Sequence, residues 1–123
     1  MSVESLKVLI CDDSMLVRKK LTASLKNIGV GEVIEAADGE QAVAMHKKHD
    51  PDITLMDIVM PKLNGVDALK AILENDPSAR VVMASSVGTQ DNLKDAINAG
   101  AFDFLQKPIG DDQLRALIEK AGH

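Results

Sequence analysis

Short apolar runs alternate along this chain with longer segments in which the apolar residues recur at helical spacing. The first run, Lys7–Cys11, is typical of a strand, and the periodic segment after it is typical of a helix that ends at Gly29. The same pair of patterns recurs to the end of the chain. It predicts strands at 7–11, 33–36, 53–56, 81–84 and 102–105, and helices at 14–28, 40–49, 66–76, 93–97 and 114–121. The chain is therefore predicted to contain five βα units.

The predicted strands are rich in Val, Ile and Leu and lack the polar alternation of a sheet that faces water. Strands of this kind are buried on both faces, so helices must cover both sides of a parallel sheet. The predicted fold class is α/β, a doubly wound three-layer domain. In such sheets reactive side chains and ligands gather beyond the carboxyl ends of the strands, near the point where strand order reverses.

Length and composition fit a single ordered domain over residues 1–123, without an effector domain. The chain is 46% hydrophobic and 27% charged and has no low-complexity run. Its net charge of −5 disfavours nucleic acid as a partner, because phosphate backbones attract basic surfaces. One local basic cluster, Arg18, Lys19 and Lys20, is interpreted as a solvated helix face, with a docking role as the alternative.

Cysteine usage and hydropathy indicate the cellular compartment in which the protein is expected. The single cysteine, Cys11, cannot form an internal disulfide, and the chain does not start with a basic segment followed by an apolar stretch. No apolar run approaches the roughly 18 residues that cross a bilayer. These features predict a cytoplasmic protein that does not bind membranes.

Polar side chains follow four of the predicted strands: Asp12 and Asp13 the first, Asp57 the third, Ser85 the fourth and Lys107 the fifth. Each alone has an ordinary explanation, such as a helix cap, a strand end or a surface cation. Together, three carboxylates at one edge repel one another, which would raise the pKa of one of them or demand a cation. Oxygen ligands without His or thiolate suit Mg²⁺. With that ion present, a carboxylate can attack a phosphoryl donor while an ammonium and a hydroxyl hold the other oxygens.

Four motifs carry a resemblance to a known family. They are VLICDDS at 8–14, DITLMDIVMPKLNG at 52–65, VVMASS at 81–86 and AGAFDFLQKPI at 99–109. In this order and spacing the chain resembles a CheY-like response-regulator receiver domain over nearly its whole length. The resemblance implies the flavodoxin-like strand order 2-1-3-4-5.

The resemblance also implies a role for each site residue. Asp57 would accept the phosphoryl group, and Mg²⁺ would be bound by Asp13, Asp57 and the backbone carbonyl of Val59, with Asp12 assisting through water. Ser85 and Lys107 would bind the phosphoryl oxygens.

Further positions are assigned by the same resemblance. Phe104 would act with Ser85 as a switch that turns inward, the Lys107–Pro108 bond would be cis, and Val59 and Val87 would tune the lifetime of the phosphorylated state. Both valines are apolar and cannot hydrogen-bond an attacking water, which predicts slower self-dephosphorylation than in a Val59→Asn variant; the alternative is that they merely pack against neighbouring loop residues. Phe104 also has an ordinary interpretation as a core aromatic residue.

The implied partners are a histidine kinase, a downstream protein target such as a flagellar motor switch, and a phosphatase. The chain would act as a monomeric switch in chemotaxis rather than as a turnover enzyme; a phosphorelay intermediate that passes its phosphoryl group to a histidine is the alternative. A haloacid-dehalogenase-type phosphatase is a different-class alternative, but it places a second Asp two residues after its nucleophile, where this chain has Ser14. A flavodoxin-type cofactor module is disfavoured because the chain has no Trp or Tyr to stack on a flavin.

Overall fold

The computed structural model of the protein describes residues 3–58, 62–85 and 90–122. A 3₁₀ turn at Val3–Ser5 precedes the first strand. The strands are β1 (Lys7–Cys11), β2 (Glu32–Ala36), β3 (Ile53–Asp57), β4 (Val81–Ser85) and β5 (Asp103–Gln106). The helices are α1 (Met15–Ile28), α2 (Gly39–His49), α3 (Gly65–Asn75), α4 (Gln90–Asn98) and α5 (Asp111–Gly122).

The predicted alternation of strands and helices is confirmed, and the largest differences lie at two helix starts. Helix α4 begins at Gln90 and α5 at Asp111, each ahead of the apolar residues that mark it in the sequence. The first turn of a helix is often polar, because acidic and amide side chains suit its free N–H groups. An apolar pattern therefore locates the middle of these helices better than their first residues.

All strand pairings are parallel, and the strand order is β2-β1-β3-β4-β5, as the resemblance implied. The chain leaves β1 for β2 on one side and then returns to β3 on the other. Strands β1 and β3 are thus neighbours at the reversal point, with Cys11 opposite Met56 in the register. The residues that follow this pair of strands open into the crevice where α/β sheets bind ligands.

The sheet has an apolar layer on each face, because successive side chains of a strand point to opposite sides. Val8 and Ile10 pack in a core with residues of α1 and α5, whereas Leu9 and Cys11 pack with residues of α2, α3 and α4. The central strands β3 and β4 are buried almost throughout. This confirms the doubly wound three-layer architecture and explains why these strands show no polar alternation. No described helix is both long enough and apolar enough to span a membrane.

Candidate functional site

The three aspartates singled out in the sequence meet at the carboxyl edge of the sheet. Asp12 and Asp13 come directly after β1, and Asp57 is the last residue of β3. One carboxylate oxygen from each lies within 4.8 Å of the others. Within the described part of the chain, this is the one group of three or more His, Cys, Asp or Glu side chains close enough to hold a metal ion.

Asp12 is buried, with 2% of its surface exposed, and each of its polar groups has a partner. Its N–H donates to the carbonyl of Ala36 at 3.1 Å, and its Oδ1 accepts from the N–H of Ser14 at 2.9 Å. Its Oδ2 is hydrogen-bonded to the ammonium of Lys107. The capping role that the sequence allowed for this region belongs to Ser14, whose Oγ accepts from the N–H of Val17 at 3.3 Å. Asp12 therefore does not cap the helix, and its carboxylate faces the candidate site.

Lys107 reaches the site from the end of β5. Its N–H donates to the carbonyl of Ser85 at 2.8 Å, which extends the pairing of β4 with β5 by one step. Its ammonium lies 3.3 Å from Oδ2 of Asp57 in addition to its bond with Asp12. The Lys107–Pro108 peptide bond is cis, as the resemblance implied.

The electrostatic balance of the site is unfavourable to a third negative charge. Burial raises the pKa of the Asp57 carboxyl above its usual value; Lys107 acts against this, and the neighbouring Asp12 and Asp13 add to it. The ammonium of Lys107 contacts only two of the three carboxylates, Asp12 and Asp57, so a divalent cation would complete the neutralisation. Its ligands would all be hard oxygen atoms, which fits Mg²⁺ rather than a transition metal.

The backbone around Asp57 is held by close approach to the start of α3. The N–H of Gly65 donates to the carbonyl of Ile58 at 2.8 Å, and a Cβ at position 65 would overlap the carbonyl of Asp57. Asn64 caps α3 by accepting from the N–H of Asp67 at 2.9 Å. Gly65 was not among the site residues predicted from the sequence, although an Asn-Gly pair before an apolar helix is a turn signal that marks such a position.

Two further residues named by the resemblance, Ser85 and Phe104, lie on the neighbouring strands β4 and β5. Ser85 is the last residue of β4 and is buried. Phe104 lies in β5, opposite Met83 of β4, and is partly buried against the α2–α3–α4 side of the core. Val59 and Val87 lie outside the described residues.

Arg18 contacts the backbone of Asp12, although the sequence pattern favoured a solvated helix face. Only 14% of its side chain is exposed, so the interpretation as a solvated helix face is wrong for this residue. Its Nη1 donates to the backbone carbonyl of Asp12 at 2.7 Å, and its Nε lies 3.1 Å from Oε1 of Glu35. Lys19, 64% exposed, binds the other oxygen of Glu35 at 2.9 Å. Burial works to raise the pKa of Glu35, but the hydrogen bonds and charges of Lys19 and Arg18 lower it overall.

Comparison with known proteins gives one consistent result. Residues 8–119 match the response regulator receiver domain family. The chain is 42% identical over 114 residues to the chemotaxis protein CheY of Bacillus subtilis, covering 93% of this chain and 95% of that protein. It is 41% identical over 116 residues to the chemotaxis protein CheY of Listeria monocytogenes, covering 94% and 98%. Among solved structures, a chain of the CheX–CheY–BeF3–Mg²⁺ complex from Borrelia burgdorferi has a TM-score of 0.90 at 37% identity, covering 96% of this chain and 90% of that one.

Proposed function

The chain belongs to the response regulator receiver domain family, and on that premise we propose that it is a phosphorylation-operated switch whose acceptor is Asp57. The observation that carries the proposal is the convergence of three carboxylates and one ammonium at the reversal point of the sheet. A purely structural arrangement would not collect like charges at a partly buried edge, because their repulsion is unfavourable for folding. The arrangement is useful if a cation and a phosphoryl group bind there.

The proposed reaction is a phosphoryl transfer to a carboxylate. An oxygen of Asp57 attacks the phosphorus of a phosphohistidine on a histidine kinase; the new O–P bond forms as the P–N bond breaks, and the imidazole leaves and regains a proton. Lys107 lies close enough to Asp57 to pair with an equatorial phosphoryl oxygen once the group is attached. Ser85, at the end of the adjacent strand, would donate a hydrogen bond to another oxygen.

The metal in this proposal is Mg²⁺. Asp13 and Asp57 would bind it together with the backbone carbonyl of Val59, and Asp12 would hold one of its waters. When bound, the ion neutralises the charge that gathers on the transferring oxygens. The similar chain from Borrelia burgdorferi comes from a complex that contains BeF3 and Mg²⁺, which supports the same class of ligands here.

The output of the switch is proposed to pass through Ser85 and Phe104. A phosphoryl group on Asp57 would draw the Ser85 hydroxyl toward it and leave room for Phe104 to turn inward from its partly buried position on β5. Contacts of Lys107 and Ser85 with the phosphoryl group are worth a few kcal/mol in sum, which is the scale needed to shift a two-state population. Val59 and Val87 would slow the loss of the phosphoryl group, because neither can orient the attacking water.

The proposed setting is the cytoplasm, where a monomeric chain receives its phosphoryl group from a histidine kinase and controls a protein target in chemotaxis or motility. The CheY relatives from Bacillus subtilis and Listeria monocytogenes are chemotaxis proteins, which favours this output over a phosphorelay. A phosphatase would reset the switch. We propose no nucleic-acid or membrane partner and no turnover of an external substrate.

The deciding experiment is labelling with a small acyl-phosphate donor, read by intact mass. Wild-type protein with Mg²⁺ should gain one phosphoryl group, whereas protein with excess EDTA should gain none. The Asp57→Asn variant should stay unlabelled, and Asp95→Asn, a change at an exposed position in α4, should label like wild type. Equal labelling of Asp57→Asn and wild type would refute the assignment of the acceptor.

The same preparation separates the competing functions. Repeated turnover of a stable phosphomonoester, with Asp12 essential, would favour a haloacid-dehalogenase-type phosphatase; one group retained on Asp57 would favour the switch. Transfer of the label to a histidine phosphotransfer protein, combined with normal motility after gene deletion, would favour the phosphorelay intermediate over the chemotaxis output.

A further inference from the structure

We propose that Arg18 is a positioning residue for the magnesium site, because it fixes the peptide that joins Asp12 to Asp13 and so directs the Asp13 carboxylate. This inference rests on the proposed function, since it assumes that Asp13 and Asp57 bind Mg²⁺. Arg18 would touch neither the ion nor Asp57. Its effect passes through one backbone carbonyl.

The guanidinium is held at two points on different elements. Nη1 donates to the carbonyl of Asp12 at 2.7 Å, and Nε lies 3.1 Å from Oε1 of Glu35, on β2. Only 14% of the Arg18 side chain is exposed, so solvent competes little for either contact. A guanidinium is planar, with its donors in a fixed fork, so anchoring Nε to Glu35 also sets the direction of Nη1. Arg18 therefore works as a rigid brace between β2 and the turn after β1.

The consequence falls on Asp13 because the peptide bond is planar. Fixing the carbonyl oxygen of Asp12 also fixes the N–H and Cα of Asp13, which lie in the same plane. Asp12 has other restraints on its side chain, from the N–H of Ser14 and from Lys107. The Asp13 side chain is exposed, and no hydrogen bond or ion pair to it occurs among the residues that the structure describes. Its direction thus depends on the backbone that Arg18 holds.

Lys19 provides a matched control. It binds the same carboxylate, Glu35, at 2.9 Å, but it has no contact with Asp12, and 64% of its side chain is exposed. The substitutions Arg18→Met and Lys19→Met each remove one positive charge and one contact to Glu35. Only the first removes the hydrogen bond to the Asp12 carbonyl. A difference in Mg²⁺ affinity between the two variants therefore measures the effect of this hydrogen bond apart from the loss of charge.

The test is magnesium binding measured by isothermal titration calorimetry on the unphosphorylated protein. Outer-shell residues that orient metal ligands typically change metal affinity by 10–100-fold, so Arg18→Met should raise the Mg²⁺ dissociation constant about tenfold. Lys19→Met should change it by less than about twofold, as expected for an exposed ion pair. In labelling with an acyl phosphate, Arg18→Met should need more Mg²⁺ but reach the wild-type rate at saturation.

A second readout needs no metal. In the metal-free protein, the amide ¹⁵N–¹H heteronuclear NOE of Asp13 should fall in Arg18→Met and stay unchanged in Lys19→Met. If Arg18→Met does not fold, as judged by circular dichroism, Arg18→Lys provides the comparison. An ammonium lacks the fixed, planar fork of a guanidinium and so holds the direction of the Asp12 carbonyl less firmly; the Mg²⁺ dissociation constant of Arg18→Lys should rise about threefold.

The outcomes separate this inference from the proposed function. Wild-type protein that binds Mg²⁺, together with Arg18 variants of equal affinity and an equally rigid Asp13 amide, would overturn the positioning role and leave the switch intact. Equal losses in Arg18→Met and Lys19→Met would also overturn it, because the lost contact with Glu35, which the two variants share, would then explain the effect. Wild-type protein that binds no Mg²⁺ would overturn both.

Discussion

The ammonium of Lys107 lies 3.3 Å from Oδ2 of Asp57 and is also hydrogen-bonded to Asp12, so one cation from β5 is shared by carboxylates at the ends of two other strands. This sharing neutralises only part of the negative charge at the site. The remaining charge makes the site receptive to a metal ion and unfavourable for the metal-free fold. Several measurable effects depend on this imbalance.

Removing the ammonium of Lys107 should change both the pKa of Asp57 and the rate at which Asp57 is phosphorylated. Burial raises the pKa of Asp57, and the charge of Lys107 and its hydrogen bond act against this rise. Lys107→Met should therefore raise that pKa further, as measured by carboxyl ¹³C shifts in the metal-free protein. It should also slow phosphorylation by on the order of 100-fold, since one preorganised partner of the phosphoryl oxygens is lost. An unchanged titration curve would contradict the sharing of the ammonium.

Replacing Asp57, the proposed acceptor, should stabilise the metal-free protein. The pKa of Asp57 is raised in the folded protein, so folding disfavours the ionised carboxylate. The free energy of unfolding is therefore reduced at pH values above that pKa, and this reduction is relieved below it. Asp57→Asn should raise the free energy of unfolding at pH 7 by roughly 1 kcal/mol, the usual scale for relieving one such conflict. Urea denaturation without Mg²⁺ measures this, with the exposed Asp95→Asn as the control that should change little. Added Mg²⁺ should raise the Tm of the wild type and not that of Asp57→Asn.

A side chain at position 65 should disturb the site through the backbone. A Cβ there would overlap the carbonyl of Asp57, so Gly65→Ala should destabilise the protein by about 1–3 kcal/mol and reduce labelling of Asp57. Gly110→Ala is the matched control, because the nearest atom to its Cβ would be Oε1 of Gln113 at 3.9 Å. The control should be neutral or slightly stabilising. Equal stability of the two variants would show that the loop before α3 can move away.

The dependence of stability on pH should carry a contribution from His46. Burial lowers the pKa of this histidine, although the charges of Asp76 and Asp50 act in the opposite direction. The unfolded chain, with a pKa near 6.5, therefore takes up a proton at a higher pH than the folded protein does. The contribution of His46 to the free energy of unfolding is fully present above pH 6.5. It is lost as the pH falls toward the folded-state pKa, by at most about 1.4 kcal/mol per pH unit. His46→Gln should flatten this slope between pH 7.5 and 5 in urea denaturation; a slope equal to the wild type would contradict the assignment.

The lifetime of the phosphorylated state should respond to position 59. Val59 cannot hydrogen-bond a water aligned with the O–P bond, whereas an amide can. The Val59→Asn variant should therefore lose its phosphoryl group faster than the wild type, by up to about tenfold, once the donor is removed. Intact mass followed over time measures the decay, and equal half-lives would refute the role of this position.

The strands and helices could be predicted because their signals are local. Uninterrupted apolar runs such as 81–84 require burial on both faces of the sheet. Gly29 and Pro77 mark the ends of two of the helices between the strands. The site residues could also be predicted, since parallel strands bring their carboxyl ends to one edge whatever the details of packing. Asp12, Asp57 and Lys107 follow from that rule alone.

What the sequence by itself determined, then, is the order of elements, the sheet class and the identity of the side chains delivered to the edge. The tertiary structure alone decided how those side chains share charge and which others support them. Arg18 meets Glu35 across 17 positions, and Lys107 meets Asp12 across 95, so no local pattern marks either contact. Burial of Asp57, which raises its pKa, likewise depends on packing from several elements at once. Periodicity is a property of neighbours in sequence, whereas desolvation and long-range hydrogen bonds are properties of neighbours in space.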